Sequence, residues 1–151
     1  MYVINTRDGA ICYTGDFIID PLMRGAYDMD LGKIAYVGKK GVLALLQESS
    51  FSEKSGHTSP NHRLVGVFRE AISHTKNRLM FLVLPTHLYT IQEIFDAAKN
   101  THRKMVVMGK QLQSLIDMAV KEKYLEIQEG LLGDLSNIDD KDAIILMADS
   151  K

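Results

Sequence analysis

An aspartate stands directly after a glycine where an apolar run stops: Ile11-Cys12-Tyr13-Thr14-Gly15-Asp16-Phe17. A carboxylate placed there either caps a turn or faces a cleft, where it can bind a cation. Three more polar sites sit just past apolar runs. Glu48 follows Gly41 to Gln47, Thr86-His87 follows Leu79 to Pro85, and Lys110 follows Met105 to Gly109. In open parallel sheets, ligands gather beyond the carboxyl ends of the strands. Loops are polar in any fold, so this pattern alone leaves a site and plain architecture equally open.

The elements that must hold these residues read as an α/β layer. Tyr2 to Asn5, the turn Arg7-Asp8-Gly9 and Ala10 to Tyr13 form a hairpin pattern. Ile18 to Lys33 reads as loop, broken by Pro21, Gly25 and Gly32, and residues 51–63 as a polar surface loop. Ser59 before Pro60 fits a helix start, followed by Val65, Phe68, Ala71 and Ile72 at helical spacing. The continuous run from Leu79 suits a strand buried on both faces. Ile91, Ile94, Phe95 and Ala98 mark the next helix, Lys104 to Gly109 a strand, and Leu112, Leu115, Ile116 and Ala119 another helix. A loop from Gly130 to Lys141 then leads to a last strand, Ala143 to Ala148. Strands alternating with helices imply a mainly parallel sheet with helices on both faces.

The totals narrow the class. A chain of 151 residues, 46% of them hydrophobic, suits one domain's worth of core. A formal net charge of -1 speaks against a generally basic surface and leaves room for a local patch. Cys12 is the single cysteine, which excludes an internal disulfide and points to a reduced, cytoplasmic setting. The longest apolar run, Leu79 to Pro85, is far short of the roughly 20 residues needed to cross a bilayer, and no membrane partner is expected. The abrupt start and finish suggest a segment of a larger fold. No Gly-x-Gly-x-x-Gly loop occurs, which weakens a reading as a free-standing α/β nucleotide-binding module.

The order of motifs carries more. "YTGDF", "LLQESS", "HRLVGVFREAI" and "NRLMFLVLPTHLYTIQEIFDAAKNTHRKMVVMGKQLQSLIDMA" together resemble the ribonuclease J family, in which a metallo-β-lactamase fold carries an inserted β-CASP domain. The resemblance implies that residues 1–35 are the end of a metallo-β-lactamase segment. Residues 36–151 would then be a β-CASP domain, incomplete at its C-terminal end. It implies metal-dependent phosphodiester hydrolysis of RNA, endonucleolytic and 5′-to-3′ exonucleolytic, in the cytoplasm. Two divalent ions would serve the full-length protein, zinc first, with manganese or magnesium as alternatives. Asp16 would bridge them, and Glu48 would help orient a histidine from a later motif. The loop of Thr86 and His87 would meet RNA. Lysines and arginines near the strand ends, Lys110 and Arg103 first, are the expected phosphate contacts, with solvated strand flanks as the equal alternative. The implied partners are RNA and a ribonuclease J paralogue or second copy.

The chain also departs from the family pattern. The His-x-His-x-Asp-His motif is absent, and Asp16 alone cannot hold a metal pair, so no tightly bound metal and no nuclease activity are expected of the isolated chain. Leu84-Pro85-Thr86-His87 replaces Phe-Ala-Ser-Asn, Thr90 replaces an arginine, and Gly109-Lys110-Gln111 replaces Gly-Arg-Ser. Threonine cannot reproduce the bidentate fork of arginine, and lysine does so only in part. Such losses fit the less active second paralogue of bacteria carrying two, a non-catalytic subunit beside an active enzyme. Whether the parent protein is itself an enzyme stays open. His57 and His62, in the polar loop, read as surface histidines.

Overall fold

The computed structural model describes residues 1–20, 23, 25–50, 52–56 and 63–148. Two compact units make up the chain, Met1–His62 and Arg63–Lys151.

The first unit holds a three-stranded sheet of β1 (Tyr2–Asn5), β2 (Ala10–Tyr13) and β3 (Val42–Leu46) in that order. The expected hairpin is present: β1 and β2 are antiparallel, with Tyr2 opposite Tyr13 and Asn5 opposite Ala10. Thr6 closes its turn, with both its N–H and its hydroxyl donating to the Gly9 carbonyl. Strand β3 runs parallel to β2. This pairing joins β3 to the hairpin within the first unit.

Helix α1 (Leu31–Lys40) replaces the end of the expected loop. Asp30 caps it by accepting from the Lys33 N–H at 2.9 Å, and Lys39 and Lys40 oppose the negative end of its dipole. Gly32 and Gly38 lower its intrinsic propensity, which is why the sequence does not announce it.

The second unit is an α/β layer. Its strands are β4 (Leu79–Val83), β5 (Lys104–Met108) and β6 (Ala143–Ala148), ordered β4-β6-β5 and all parallel. Helices α2 (Val65–His74), α3 (Leu88–Ala98) and α4 (Lys110–Lys121) supply the rest of its core. The expected stripes are the buried ones: Ile91, Ile94, Phe95 and Ala98 on α3, and Leu112, Ile116 and Ala119 on α4. They join Ile72, Met105, Ile144 and Leu146 in one cluster. Phe68 of α2 meets Phe81 of β4 edge to face, with ring centroids 5.2 Å apart. The expected helix start at Ser59-Pro60 lies outside the described residues. The described part of α2 begins where the Leu64 N–H donates to the buried Glu93 carboxylate at 3.0 Å.

One expectation fails. Strand β4 is not buried on both faces: Met80 and Leu82, which alternate with the less exposed Leu79, Phe81 and Val83, are 58% and 70% exposed. The strand enclosed on both sides is β6, whose residues from Ala143 to Leu146 are all buried. Among the described residues, no helix is long and apolar enough to cross a membrane.

Arg103, just before β5, is 3% exposed and ties the strand starts together. Its guanidinium donates to the carbonyls of Ile72, Thr75, Asn77 and Ala143 at 2.7–3.2 Å. Burial lowers its pKa, opposed by nearby Asp142. Arg103→Ala would leave four carbonyls short of a donor and should cost about 3 kcal/mol or more in urea unfolding. Arg103→Lys should recover only part of this, since an ammonium has fewer donors and no fork. A loss under about 1 kcal/mol for the alanine variant would show that these bonds contribute little.

Candidate nucleic-acid interface

The three strands of the second unit end at one edge. After β4, the chain turns through Leu84-Pro85-Thr86-His87, closed by the His87 N–H donating to the Leu84 carbonyl at 3.0 Å. Helix α3 starts at once, with His87 in the N-cap position and no side-chain cap. After β5, a single residue, Gly109, makes the turn into α4. Its φ of 98° and ψ of 127° are open to glycine and strained for other residues. Helix α4 also lacks a side-chain cap. Two helices therefore begin at the same sheet edge with backbone N–H groups that no side chain satisfies, and each adds the positive end of its dipole.

A cleft of about 470 Å³ opens at this edge. Pro85 from the β4 turn, Gly109, Lys110 and Gln111 from the start of α4, and Ala148 from the end of β6 line it. Leu112 and Leu115 give it an apolar wall. Lys110 is exposed, as are Thr86 and His87 on the neighbouring turn. Three of the expected phosphate-facing residues are thus together at one edge.

Arg103 is not with them. It lies at the opposite, amino edge, where its guanidinium donates to four carbonyls. A residue's type and nearness to a strand end do not reveal which end it occupies. Position before β5 is the signal that separates the two, since Lys110 follows that strand and Arg103 precedes it.

In the first unit, Asp16 and Glu48 leave the carboxyl ends of adjacent parallel strands, and Thr14 N–H to Leu46 carbonyl extends the pairing at 3.0 Å. Gly15, with a φ of 62°, makes the turn that precedes exposed Asp16. The Glu48 carboxylate accepts from the Ser50 N–H at 2.5 Å and so caps its own loop. Hydrogen bonds from Ser50, side chain first and then backbone, hold the Glu48 pKa below its usual value. Among the described residues, no three His, Cys, Asp or Glu side chains converge as a metal would need. His57 and His62 lie outside the described residues. Cys12 is buried and free.

The lowered Glu48 value has a fixed sign. The ionised form holds the loop at neutral pH, and that contribution is lost as pH falls through the lowered value. The Ser50 amide resonance should therefore titrate with a midpoint below that of an ordinary glutamate, and Glu48→Gln should abolish the titration. A midpoint at or above the ordinary value would contradict the capping geometry.

Comparison with known proteins identifies the family of the chain. Residues 76–151 match the family described as Ribonuclease J, beta-CASP domain. Ribonuclease J 2 of Staphylococcus saprophyticus is 31% identical over 147 residues, 96% of this chain and 26% of that protein. Ribonuclease J 2 of Staphylococcus aureus strain NCTC 8325 is 30% identical over 147 residues, with the same coverage of each chain. The corresponding protein of Staphylococcus epidermidis is 31% identical, again over 147 residues and with the same coverage. The chain spans about a quarter of the length of these curated relatives. With an α/β unit whose parallel sheet carries the matched segment, the chain belongs to the ribonuclease J family of RNA-processing nucleases, and residues 76–151 to its β-CASP domain.

Proposed function

We propose that this chain supplies the RNA-facing β-CASP part of a ribonuclease J-type protein that processes and degrades RNA. One observation carries this reading: the uncapped start of α4, with exposed Lys110, lines a cleft at the carboxyl edge of a parallel sheet, and the uncapped start of α3 follows the neighbouring β4 turn, whose Pro85 lines the same cleft. Backbone N–H groups at a helix start suit phosphate oxygens, and the dipole favours their charge. Lys110 adds a point charge where the family pattern has a forked arginine, so it holds phosphate with less directional control. Exposed Thr86 and His87 on the neighbouring turn offer further polar contacts.

RNA binding by the chain should be weak and fall steeply with salt, because released counterions drive it. Lys110→Ala should weaken binding of a single-stranded RNA and lower the log–log salt slope by about 0.7, the share of one phosphate contact. Fluorescence anisotropy at several salt concentrations measures both. An affinity indifferent to salt would sink the reading.

Hydrolysis belongs, on this proposal, to the whole protein. Asp16 would be one ligand of a divalent metal pair, zinc or else manganese or magnesium, that activates water when bound. Glu48 would orient a neighbouring histidine. The described residues do not by themselves fit a metal pair, so no catalytic step is assigned to them. A second reading makes the chain part of a non-catalytic subunit beside an active paralogue. Thr90, in place of the family's arginine, and the likeness to proteins named Ribonuclease J 2 favour it.

Asp16→Asn, carried in this chain only within the reconstituted full-length complex, separates the two. On the catalytic reading, the exonuclease rate on 5′-monophosphorylated RNA should fall at least about a hundredfold, since an amide bridges cations poorly. On the subunit reading the rate should be unchanged, provided that assembly is intact. The isolated chain should give no metal-dependent cleavage in the same assay.

A further inference from the structure

The larger clefts of the second unit are elsewhere. One of about 600 Å³ opens at the amino edge of the parallel sheet. Five of its lining residues are Lys or Arg, namely Arg69, Lys76, Lys99, Arg103 and Lys141, against one carboxylate, Asp142. That is an excess of four positive charges before His102 is counted, in a chain whose net charge is -1. Some of this charge is offset at the rim. Lys99 is 2.6 Å from Asp96, Lys141 is 3.8 Å from Asp139, and His102 is 3.2 Å from Asp142. Arg69 and Lys76 are exposed and make no ion pair among the described residues.

Beneath them lies a second, independent sign of a built site. Arg103 is 97% buried and lines the cleft, and four of its bonds go to neutral carbonyls. Its Nε has no hydrogen-bond partner among the described residues. A buried cation with an unused donor, in a cleft that exposed Arg69 and Lys76 also line, leaves a local excess of positive charge beside the one carboxylate, Asp142. A second cleft of about 610 Å³ adjoins it, shares Arg69, Lys99 and Asn100, and adds Arg63 together with the carboxylates Glu93 and Asp96, so the combined lining holds six Lys or Arg against three carboxylates. The two form one trough along α2 and α3.

We propose that this trough is a second RNA contact, taking backbone phosphates without regard to sequence, at the sheet edge opposite the Lys110 cleft. The inference rests on the RNA reading above. It assigns the trough to phosphodiester groups because its charges are spread along a groove and are carried by long, exposed side chains, as backbone tracking requires.

The test uses the full chain and a labelled single-stranded 20-nucleotide RNA. The double variant Arg69→Gln/Lys76→Gln should raise Kd about tenfold at low salt and reduce the log–log salt slope by about 1.4, two phosphate contacts' worth. Lys110→Gln, measured alongside, reports on the other edge. If Lys110→Gln weakens binding and the double variant does not, the trough is overturned and the carboxyl-edge reading stands. If the wild-type chain binds no RNA, both fall. If adenosine 5′-monophosphate binds as tightly as the RNA, the trough is a pocket for a free phosphate group and the backbone proposal is overturned. Should the double variant lose its urea transition, Lys76→Gln/Lys141→Gln must give the same loss of affinity for the proposal to hold.

Discussion

Arg103 is the point on which the second unit is aligned. Its guanidinium reaches the end of α2, the turn into β4 and the first residue of β6, while its own backbone leads into β5. All three strands therefore start from one charged group. They are five, six and five residues long in sheet order, so fixing their starts also fixes where they stop. The carboxyl edge, with its turns and helix N-termini, takes its shape from a residue at the far end. A buried cation is costly unless its donors are used, and here four peptide carbonyls repay that cost while binding four separate places to each other.

The two edges of the sheet differ in how they present positive charge. At the carboxyl edge it comes from peptide groups: two helices begin there without a side-chain cap, and a single lysine supplements them. At the amino edge it comes from side chains, over a buried guanidinium. Peptide N–H groups are fixed in direction and suit a phosphate held in one place. Long side chains are adjustable and suit a backbone that slides.

Much of the architecture is legible in the sequence because it rests on apolar periodicity. The stripes on α3 and α4 and the strand at Ala143 are such signals, and each is buried as its spacing implies. Helix α1 escapes because two glycines interrupt it and its start depends on one capping aspartate. Strand order is illegible in principle: the runs at Leu79 and Ala143 are similarly apolar, yet one lies at the edge and the other in the centre. The Lys110 edge can be read, since it depends only on the residues that come directly after a strand. The trough cannot, since its residues are drawn from positions 63 to 142 and meet only when α2, α3 and the loop before β6 are packed. The anchoring role of Arg103 is hidden in the sequence for the same reason, because it depends on carbonyls up to forty residues away.

The central place of β6 has a consequence for how the protein is made. A ribosome delivers β4 first, then β5, and the strand that must lie between them last. Until β6 emerges, β4 has no strand partner in this sheet and β5 has only the bridge between Met105 and Leu132, and the inner faces of α3 and α4 have only part of a surface to cover. The nascent chain thus carries two apolar strands with open edges, the kind of surface that pairs with other chains or recruits chaperones. Assembly of the sheet is a single late event, in which one six-residue insertion completes both ladders together.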